Sequence, residues 1–300
     1  MTVTTENPTP TIAMLGLGVM GHAMAVNARR AGLPTAVWNR TPDRARDLVD
    51  LGARAADSAA EAARAAEIVV TMLTDLDAVL EVAIGHGMLE AMTPGAIWVQ
   101  MSTIGLGIDE VAQLVAERRP DVTLLDAPVS GSKGPAEAGS LTIFASGPVE
   151  TQARTAPFFD AIGTRTAWLG PTGAGSRVKL VNNTILALTA EGVASAVALA
   201  RRLGVATETL QVALDGSPLM SQWADSKLRR VSNDDYSAQF ALALALKDVR
   251  LALEAVEANE YLVLRTLADE WQRAVAHGLG DDDVTVVTRL LDEGPTDATA

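Results

Sequence analysis

A lysine and two asparagines lie close together near the start of a long apolar stretch of the sequence. Lys179 and Asn183 are four residues apart and therefore share one face of a helix, with Asn182 beside them. A lysine that is partly removed from water can exchange a proton near neutral pH. The spacing predicts an acid–base site, whereas a surface lysine beside two capping amides would produce the same pattern without chemistry.

A glycine-rich segment upstream offers groups that bind a small anion. It runs from Asp126 to Gly139 with the sequence DAPVSGSKGPAEAG and follows a predicted strand. Ser130 and Ser132 bring hydroxyls, and Gly131 lets the neighbouring backbone N–H groups be reached. Consecutive N–H groups form a concavity that suits a carboxylate. The segment therefore predicts a substrate carboxylate site, with a loop that binds nothing as the alternative.

The motif with the clearest structural context is a glycine turn near the N-terminus, between the predicted strand Ile12–Leu15 and a predicted helix. In a GxGxxG turn the first glycine permits the tight bend and the second lets the backbone approach a pyrophosphate. The third lets the helix pack closely on the strand. The phosphates would lie at the N-terminus of the helix. The turn predicts a dinucleotide site whose contacts are Gly16, Leu17, Gly18, Val19, Met20 and Gly21.

The end of the second predicted strand, Thr35–Trp38, indicates which nucleotide is preferred. An Asp or Glu at this place would bind the ribose 2′-hydroxyl of NAD, but this chain has Asn39, Arg40 and Thr41. A carboxylate would repel a 2′-phosphate, whereas a guanidinium can donate two hydrogen bonds to it. These residues predict NADP(H) as the cofactor, unless Arg40 is only a solvated turn residue.

Three further places supply candidate groups. Thr103 lies at the C-terminal end of a predicted strand, where ligands of open α/β sheets gather, although a threonine there can also cap the next helix. Leu73, at the end of another predicted strand, is a second candidate cofactor contact. Phe240 precedes a helix in which Lys247 either reaches a cofactor phosphate or ribose, or only pairs with Asp248.

The composition excludes several kinds of chemistry. The 300-residue chain has no cysteine, so disulfides, thiolate catalysis and cysteine-based metal sites are excluded. Its three histidines, His22, His86 and His277, are scattered without metal-ligand spacing, so we expect no metal. A net charge of −13 argues against a nucleic-acid surface. The N-terminal segment lacks the basic and apolar regions of a signal peptide, so we expect a cytoplasmic protein with frayed ends.

Strand and helix patterns alternate through the first half of the chain. Apolar runs without polar alternation, such as Glu67–Leu73, indicate strands of a parallel sheet that is covered on both faces. The alternation predicts an α/β domain of the doubly wound Rossmann type over residues 1–171. The predicted strands are 12–15, 35–38, 67–73, 96–101, 122–125, 141–146 and 166–169, and the predicted helices after the glycine turn are 42–52, 58–67, 77–84, 109–117 and 151–161.

Beyond Gly175 the strand patterns stop, which predicts an all-helical (all-α) domain over residues 172–300. Its first helix, 176–203, is apolar enough to raise the question of a membrane span, but Glu191 would be costly inside a bilayer. We therefore expect a buried central helix. The other predicted helices are 206–214, 218–230, 242–259, 263–277 and 284–291.

Several of these motifs, taken in order, resemble the β-hydroxyacid dehydrogenase family. They are GLGVMG, DAPVSG, the GxGxxxK pattern that ends at Lys179, the asparagine pair that follows it, and Lys247–Asp248. The resemblance extends from Thr11 to Leu291. The segment SGSKGPAEAG lacks the second glycine that many members have after Ser-Gly, and it looks closest to the glyoxylate/succinic semialdehyde reductase branch.

The resemblance implies a role for each candidate residue. Lys179 would be the catalytic acid–base, and Asn183 would orient it. Ser130 and Gly131 would hold the substrate carboxylate. The other substrate-site candidates are Ser132, Asn182, Phe240 and Asp248, and the cofactor candidates outside the glycine turn are Asn39, Arg40, Thr41, Leu73, Thr103 and Lys247.

The resemblance also implies an NADP(H)-dependent oxidoreductase. It would transfer a hydride between the nicotinamide and a small carboxylate substrate of the glyoxylate, succinic semialdehyde or 3-hydroxyisobutyrate type. The long helix would hold a homodimer or homotetramer together, as in relatives. Two alternatives stay open, an imine reductase, whose family has Asp or Tyr in place of Lys179, and a non-catalytic nucleotide-binding protein, whose family has lost the lysine.

Overall fold

The computed structural model describes residues 9–256 and 261–293. The predicted frayed ends fall largely outside the described residues, as do the last positions of the predicted helix 242–259. The chain divides into two compact units, Met1–Lys179 and Leu180–Ala300. The predicted domain boundary after residue 171 lies a few residues before this division and stays a prediction.

Six parallel strands form the main sheet of the first unit, in the order β3-β2-β1-β4-β5-β6. Every residue of β4 and β5 is buried, which explains why these strands are apolar runs without alternation. The strand order reverses at β1 and β4, where doubly wound sheets bind ligands. The Rossmann prediction is confirmed. The strands are β1 (Ile12–Leu15), β2 (Thr35–Trp38), β3 (Arg54–Ala55), β4 (Ile68–Thr71), β5 (Ile97–Gln100) and β6 (Thr123–Asp126).

Helices pack on both faces of this sheet and divide its core into two layers. Met14 belongs to one layer and Leu15 to the other, because consecutive strand residues point to opposite faces. The predicted helix 42–52 starts as a 3₁₀ turn, Pro42–Ala45, and continues as α2. The helices of this unit up to residue 162 are α1 (Val19–Arg30), α2 (Arg46–Asp50), α3 (Ala59–Ala63), α4 (Leu76–Leu80), α5 (Met88–Ala91), α6 (Gly107–Arg118), α7 (Lys133–Glu137) and α8 (Gln152–Ile162).

A second, three-stranded sheet follows, and the sequence did not predict it as a separate sheet. It consists of β7 (Val129–Ser130), β8 (Leu141–Ala145) and β9 (Gly163–Trp168), with β7 antiparallel and β9 parallel to β8. The predicted strands 141–146 and 166–169 belong here instead of extending the main sheet. A short antiparallel bridge between Asp126 and Ser146 connects the two sheets. Strand β7 has only two residues, too few for a periodic pattern to reveal.

Helices are the regular elements of the second unit among its described residues, as predicted, and one isolated bridge joins Ala241 and Asp283. Helix α9 begins in the first unit and supplies apolar residues at helical spacing, including Ala187, Ala190 and Ala194, to the core of the second. The helices are α9 (Ala174–Arg202), α10 (Thr207–Leu214), α11 (Gln222–Ser232), α12 (Leu242–Glu254), α13 (Leu262–Ala274) and α14 (Val287–Glu293).

Helix α9 alone among the described helices is long and apolar enough to cross a membrane by length and composition, with a mean hydropathy of 1.4 in its most apolar window. The central helix of a globular protein can meet the same criterion. In the middle of α9, Glu191 accepts hydrogen bonds from Trp271 Nε1 at 2.8 Å and Ser195 Oγ at 2.8 Å. The bond from Trp271 connects Glu191 of α9 to α13 within the second unit.

Candidate active site

The glycine turn between β1 and α1 is closely packed at its first and last glycines. Gly16 has a φ of +98°, and a Cβ added there would lie 2.3 Å from the Met72 carbonyl oxygen. A Cβ added at Gly21 would lie 2.0 Å from the carbonyl oxygen of Gly16. No side chain fits at either position, so both glycines are required for the bend and for the packing of α1 on β1.

The middle glycine leaves open space in front of the helix. A Cβ added at Gly18 would meet no atom within 4 Å, and Gly18 is the N-cap of α1. The cap has no side chain to occupy the first backbone N–H groups, and the first turn of α1 contains no acid. Exposed N–H groups at the positive end of a helix bind phosphate. The turn therefore fits the pyrophosphate of a pyridine nucleotide.

Among the residues after β2, the side chain of Asn39 is held by hydrogen bonds, whereas Arg40 is exposed. Asn39 accepts a hydrogen bond from the Leu17 N–H at 2.9 Å and donates one to the Thr41 carbonyl at 3.0 Å. Its side chain thus holds the glycine turn against the end of β2. Arg40 is exposed, and the segment Asn39–Thr41 contains no acid. Arg44, which sequence reasoning missed, also reaches the turn through the Leu17 carbonyl at 3.3 Å.

The cofactor candidates after β4 and β5 are Leu73 and Thr103. Ser102, to which the sequence assigned no role of its own, connects the ends of these two strands. The Leu73 N–H donates to Ser102 Oγ at 2.8 Å, and the Ser102 N–H donates to Gln100 Oε1 at 2.8 Å. Ser102 is fully buried and joins the ends of the two strands. Thr103, the next residue, is half-buried at the C-terminal edge of the sheet, where the sequence placed it.

The glycine-rich segment contains more secondary structure than predicted. Ser130 is half-buried in β7, Ser132 is the N-cap of α7, and the Ala136 N–H already donates to the Ser132 carbonyl at 3.0 Å. The run of consecutive N–H groups is therefore shorter than the sequence suggested. Gly131 has a φ of +133°, and a Cβ there would lie 2.6 Å from Leu141 Cδ2, so this position accepts only glycine.

Asp126, at the end of β6, is a buried carboxylate to which sequence reasoning assigned no role. It accepts hydrogen bonds from the Ser176 N–H at 2.8 Å, Ser176 Oγ at 2.7 Å and Ser146 Oγ at 3.1 Å. Burial raises the pKa of Asp126, and the hydrogen bonds from Ser176 and Ser146 oppose that rise. The carboxylate thus contacts the first turn of α9, the helix that carries Lys179.

The predicted acid–base residues lie on α9 as the sequence indicated. Lys179 and Asn183 are both buried, with exposed fractions of 9% and 4%. Asn182 Nδ2 donates to Asn183 Oδ1 at 2.9 Å, and Asn183 Nδ2 donates to Asp248 Oδ2 at 2.5 Å. The Asn183 side chain is therefore fixed in orientation, one helical turn after Lys179 and on the same face.

The Lys247–Asp248 dipeptide completes this network in the second unit. Lys247 Nζ lies 2.9 Å from Asp248 Oδ1, which is an ion-pair distance, although this oxygen receives no aligned hydrogen bond within the described residues. Asp248 thus connects α12 to Asn183 on α9 through its other oxygen. The structure brings Asn182, Asn183, Lys247 and Asp248 together, as expected for parts of one site.

The segment that precedes α12 is held by a buried ion pair that sequence reasoning missed. Lys227 Nζ lies 2.8 Å from Asp283 Oδ2, and both side chains are almost fully buried. Asp283 Oδ2 also accepts from the N–H groups of Gln239 at 3.0 Å and Phe240 at 3.3 Å. Burial lowers the pKa of Lys227, and attraction to Asp283 opposes that shift. Phe240, which is half-buried, is therefore fixed through its backbone.

The first unit offers an open helix N-terminus, hydroxyls beside a glycine and the buried Lys179, and the second unit offers the amide of Asn183, which is oriented by Asp248. No group of three or more His, Asp or Glu residues that could hold a metal occurs in residues 9–256 and 261–293. His22 and His277 bond to Asp47 and to the Arg273 carbonyl instead. The groups present suit hydride and proton transfer with a bound pyridine nucleotide.

Two family models match the chain. The model described as the NAD-binding domain of 6-phosphogluconate dehydrogenase matches residues 11–170. The model described as the NAD-binding region of NADP-dependent 3-hydroxyisobutyrate dehydrogenase matches residues 173–291. Together they span both units.

Individual proteins extend this similarity. Glyoxylate/succinic semialdehyde reductase 1 of Arabidopsis thaliana is 33% identical over 287 residues, which cover 93% of this chain and 98% of that protein. A 3-hydroxyisobutyrate dehydrogenase structure from Mycobacterium tuberculosis with L-serine is 29% identical, with a TM-score of 0.83 and coverage of 94% and 99%. An imine reductase structure from Myxococcus stipitatus, 21% identical with a TM-score of 0.64 and coverage of 94% and 99%, shares the fold alone.

Proposed function

The chain belongs to the β-hydroxyacid dehydrogenase family and is a pyridine-nucleotide-dependent oxidoreductase, and we propose that it interconverts a small semialdehyde or keto acid with the corresponding hydroxyacid. Glyoxylate, succinic semialdehyde and the semialdehyde of 3-hydroxyisobutyrate are the candidate substrates. An imine reductase or a non-catalytic protein is not favoured by the relatives, and Lys179 is present.

We propose NADP(H) as the cofactor, held by the N-terminus of α1 and by the exposed Arg40 after β2. When bound, the nicotinamide supplies or accepts the hydride. The absence of an acid in Asn39–Thr41 supports this choice, because a carboxylate would repel the 2′-phosphate. The backbone N–H groups of Gly18, Val19 and Met20 would bind the pyrophosphate, with Leu73, Thr103 and Lys247 as further contacts.

The observation that carries the proposal is the buried Lys179 one turn before Asn183, whose amide is fixed by Asp248. In carbonyl reduction the Lys179 ammonium gives a proton to the carbonyl oxygen, and in alcohol oxidation the neutral amine removes it. Asn183 orients the lysine and carries no transferable proton of its own. Proton transfer of this kind contributes about 10²–10⁴-fold to a rate.

The substrate carboxylate would lie at Ser130, Gly131 and Ser132, with Asn182, Phe240 and Asp248 lining the remainder of the substrate site. We expect Ser130→Ala to raise KM for an acidic aldehyde about tenfold, because a hydrogen bond to a charged group contributes about 1.5 kcal/mol or more. NADPH affinity should change little. An unchanged KM in steady-state assays would remove Ser130 from the carboxylate site.

A substrate panel tests the proposed function directly. Glyoxylate, succinic semialdehyde, an uncharged aldehyde of equal size and a cyclic imine are each assayed with NADPH. The acidic carbonyl compounds should exceed the uncharged aldehyde and the imine in kcat/KM by about 10²-fold, since a site built for a charged group rejects analogues that lack it. Fastest turnover of the imine would contradict the proposal.

We also propose that α9 holds a homodimer or homotetramer together. Val181, Ile185 and Leu188 are exposed at spacings of four and three residues, which is typical of a helix–helix seam. Ile185→Glu should lower the mass measured by light scattering, whereas Val212→Glu, at an exposed position on α10, should not. Equal masses for wild type and Ile185→Glu would contradict this assignment.

We further propose a cytoplasmic enzyme that binds neither nucleic acid nor a membrane. A net charge of −13 disfavours contact with phosphate backbones and anionic lipids. The bond between Glu191 on α9 and Trp271 on α13 supports a place for α9 in the core of the helical unit.

A further inference from the structure

Asp126 occupies a junction between three elements of the first unit. It ends β6, and its backbone pairs with Ser146 after β8 through N–H···O bonds of 3.0 and 2.7 Å. Its side chain is fully buried and accepts from both the N–H and the hydroxyl of Ser176 on α9. The main sheet, the small sheet and the start of α9 are therefore joined at one carboxylate.

The start of α9 needs hydrogen-bond acceptors from outside the helix. The first four N–H groups of any helix have no partner within it, and the first turn of α9 contains no acid. Asp126 Oδ2 accepts from the Ser176 N–H at 2.8 Å, and Ser146 Oγ accepts from the Gly175 N–H at 2.8 Å. Two of the unsatisfied donors are thus bound by the ends of β6 and β8, so the position of the first turn is set by the sheets.

Close packing also limits movement of this turn. A Cβ added at Gly175 would lie 2.2 Å from the Phe144 carbonyl oxygen and 3.1 Å from Asp126 Oδ2. Gly173, just before α9, has a φ of +93°. The helix therefore approaches the strands as closely as a backbone can, and a shift of the carboxylate would move the helix start with it.

Lys179 lies one turn beyond Ser176 on the same helix. We propose that Asp126 is a positioning residue for acid–base chemistry: by binding the Ser176 N–H and hydroxyl it fixes the first turn of α9 and hence the place of the Lys179 ammonium. This inference rests on the proposed role of Lys179. In this role Asp126 itself exchanges no proton with the substrate.

Asp126→Asn is the discriminating variant because it preserves the shape of the side chain and removes its negative charge. The NH₂ group that replaces one carboxylate oxygen faces either the Ser176 N–H, where two donors cannot bond, or the Ser176 hydroxyl, which must then turn to accept. In both orientations the negative charge at the N-terminus of α9 is lost. Asp75→Asn is the matched control, since Asp75 caps α4 by accepting from the Ala78 N–H at 2.9 Å and contacts nothing on α9 among its described bonds.

Two measurements are made on each full-length variant. Hydrogen exchange read by mass spectrometry reports the peptide that contains Ser176–Lys179, and needs no substrate. Steady-state kinetics with NADPH and the acidic carbonyl compound that the wild type reduces fastest give kcat, KM and the pH profile of kcat. For Asp126→Asn we expect faster exchange in this peptide and a kcat lower by about 10- to 100-fold, with KM within about threefold.

The outcomes separate this inference from the proposed function. Unchanged exchange, or faster exchange with a wild-type kcat, overturns the positioning role of Asp126 while leaving Lys179 untouched. A merely structural role would lower the amount of folded, NADPH-binding protein and leave kcat per bound site and its pH profile unchanged, which also overturns the inference. If Lys179→Ala retains wild-type activity, the proposed function fails instead, whatever the exchange data show.

Ser176→Ala provides a second variant in case Asp126→Asn does not fold. It removes the hydroxyl donor but keeps the backbone N–H bond to the carboxylate. We expect an intermediate loss of kcat, about two- to tenfold, with exchange between the wild-type and Asp126→Asn rates. A wild-type kcat in Ser176→Ala, with Asp126→Asn insoluble, would count against the inference.

Discussion

Two fully buried carboxylates, Asp126 in the first unit and Asp283 in the second, have similar structural roles but different hydrogen-bond and ion-pair partners. Each accepts several hydrogen bonds, and each fixes the backbone just before or within the first turn of a helix that carries candidate site residues. Asp283 has a cation, Lys227, at 2.8 Å. Asp126 forms its described bonds with hydroxyls and a backbone N–H.

The difference shows two ways to keep a charge away from water. An ion pair cancels charge, but both ions lose their hydration, so removing one partner leaves the other uncompensated. Dipoles at a helix N-terminus stabilise a carboxylate without a second ion. In neither case do the bonds fully offset burial, because burial raises the pKa of Asp126 and lowers the pKa of Lys227 despite the bonds that oppose these shifts.

The largest effect expected from this comparison is on stability. Lys227→Met should lower the free energy of unfolding by about 3–5 kcal/mol, since the Asp283 carboxylate would stay buried without its cation. Denaturant titration measures it. Lys133→Met is the control, because Lys133 and Glu137 form an exposed pair at 3.9 Å that contributes less than about 1 kcal/mol. A loss in Lys227→Met no larger than in this control would contradict the description of the ion pair.

The double variant Lys227→Met/Asp283→Leu sharpens the same test. Replacing both ions by apolar groups of similar size is often close to neutral, although here the N–H groups of Gln239 and Phe240 lose their acceptor. We expect part of the stability lost in Lys227→Met to return. A double variant less stable than Lys227→Met would show that the carboxylate stabilises the segment even without its cation.

A pH titration of stability separates the two carboxylates further. Because burial raises the pKa of Asp126, the folded state holds the proton at pH values where the unfolded chain, with a pKa of about 3.9, has released it. The free energy of unfolding should therefore fall as pH rises from this value through the raised pKa. Asp126→Asn should lack this fall. Parallel pH curves for the two proteins would contradict it.

The smallest expected effect is on NADPH affinity and comes from a solvent-exposed charge. Arg40 is exposed, so Arg40→Ala should weaken NADPH by about tenfold, or about 1.4 kcal/mol, less than a buried charge would contribute. NADH affinity should stay within about twofold, because NADH has no 2′-phosphate. Fluorescence titration with both nucleotides measures the ratio. Equal weakening of NADPH and NADH would show that Arg40 does not select the cofactor.

The sequence predicted those features that depend on neighbouring residues. Strands β1 and β2 match their predicted bounds, because short apolar runs beside a glycine turn leave few alternatives. The two-residue β7 was missed, since it has no period to detect. Lys179 and Asn183 were placed on one helix face by their spacing alone.

Contacts between distant segments could not be predicted in this way. Asn183 meets Asp248 across 65 residues and Asp126 meets Ser176 across 50, and the packing of whole elements decides both. The burial of Lys227 could have been predicted, because Lys227 shares the buried face of α11 with Ala224 and Leu228. A lysine at an apolar position of an amphipathic helix indicates a buried partner, although the sequence does not say that the partner is Asp283.

The proton-transfer role of Lys179 is tested by measuring kcat of Lys179→Ala at saturating NADPH and acidic aldehyde. We expect a loss of about 10²–10⁴-fold, with NADPH affinity unchanged, because the glycine turn is unaltered. Lys179→Arg should not restore the rate, since a guanidinium stays protonated. We expect kcat for reduction by the wild type to fall at high pH as Lys179 loses its proton, and this fall should be absent in Lys179→Ala. A kcat within a few-fold of wild type would contradict the mechanism.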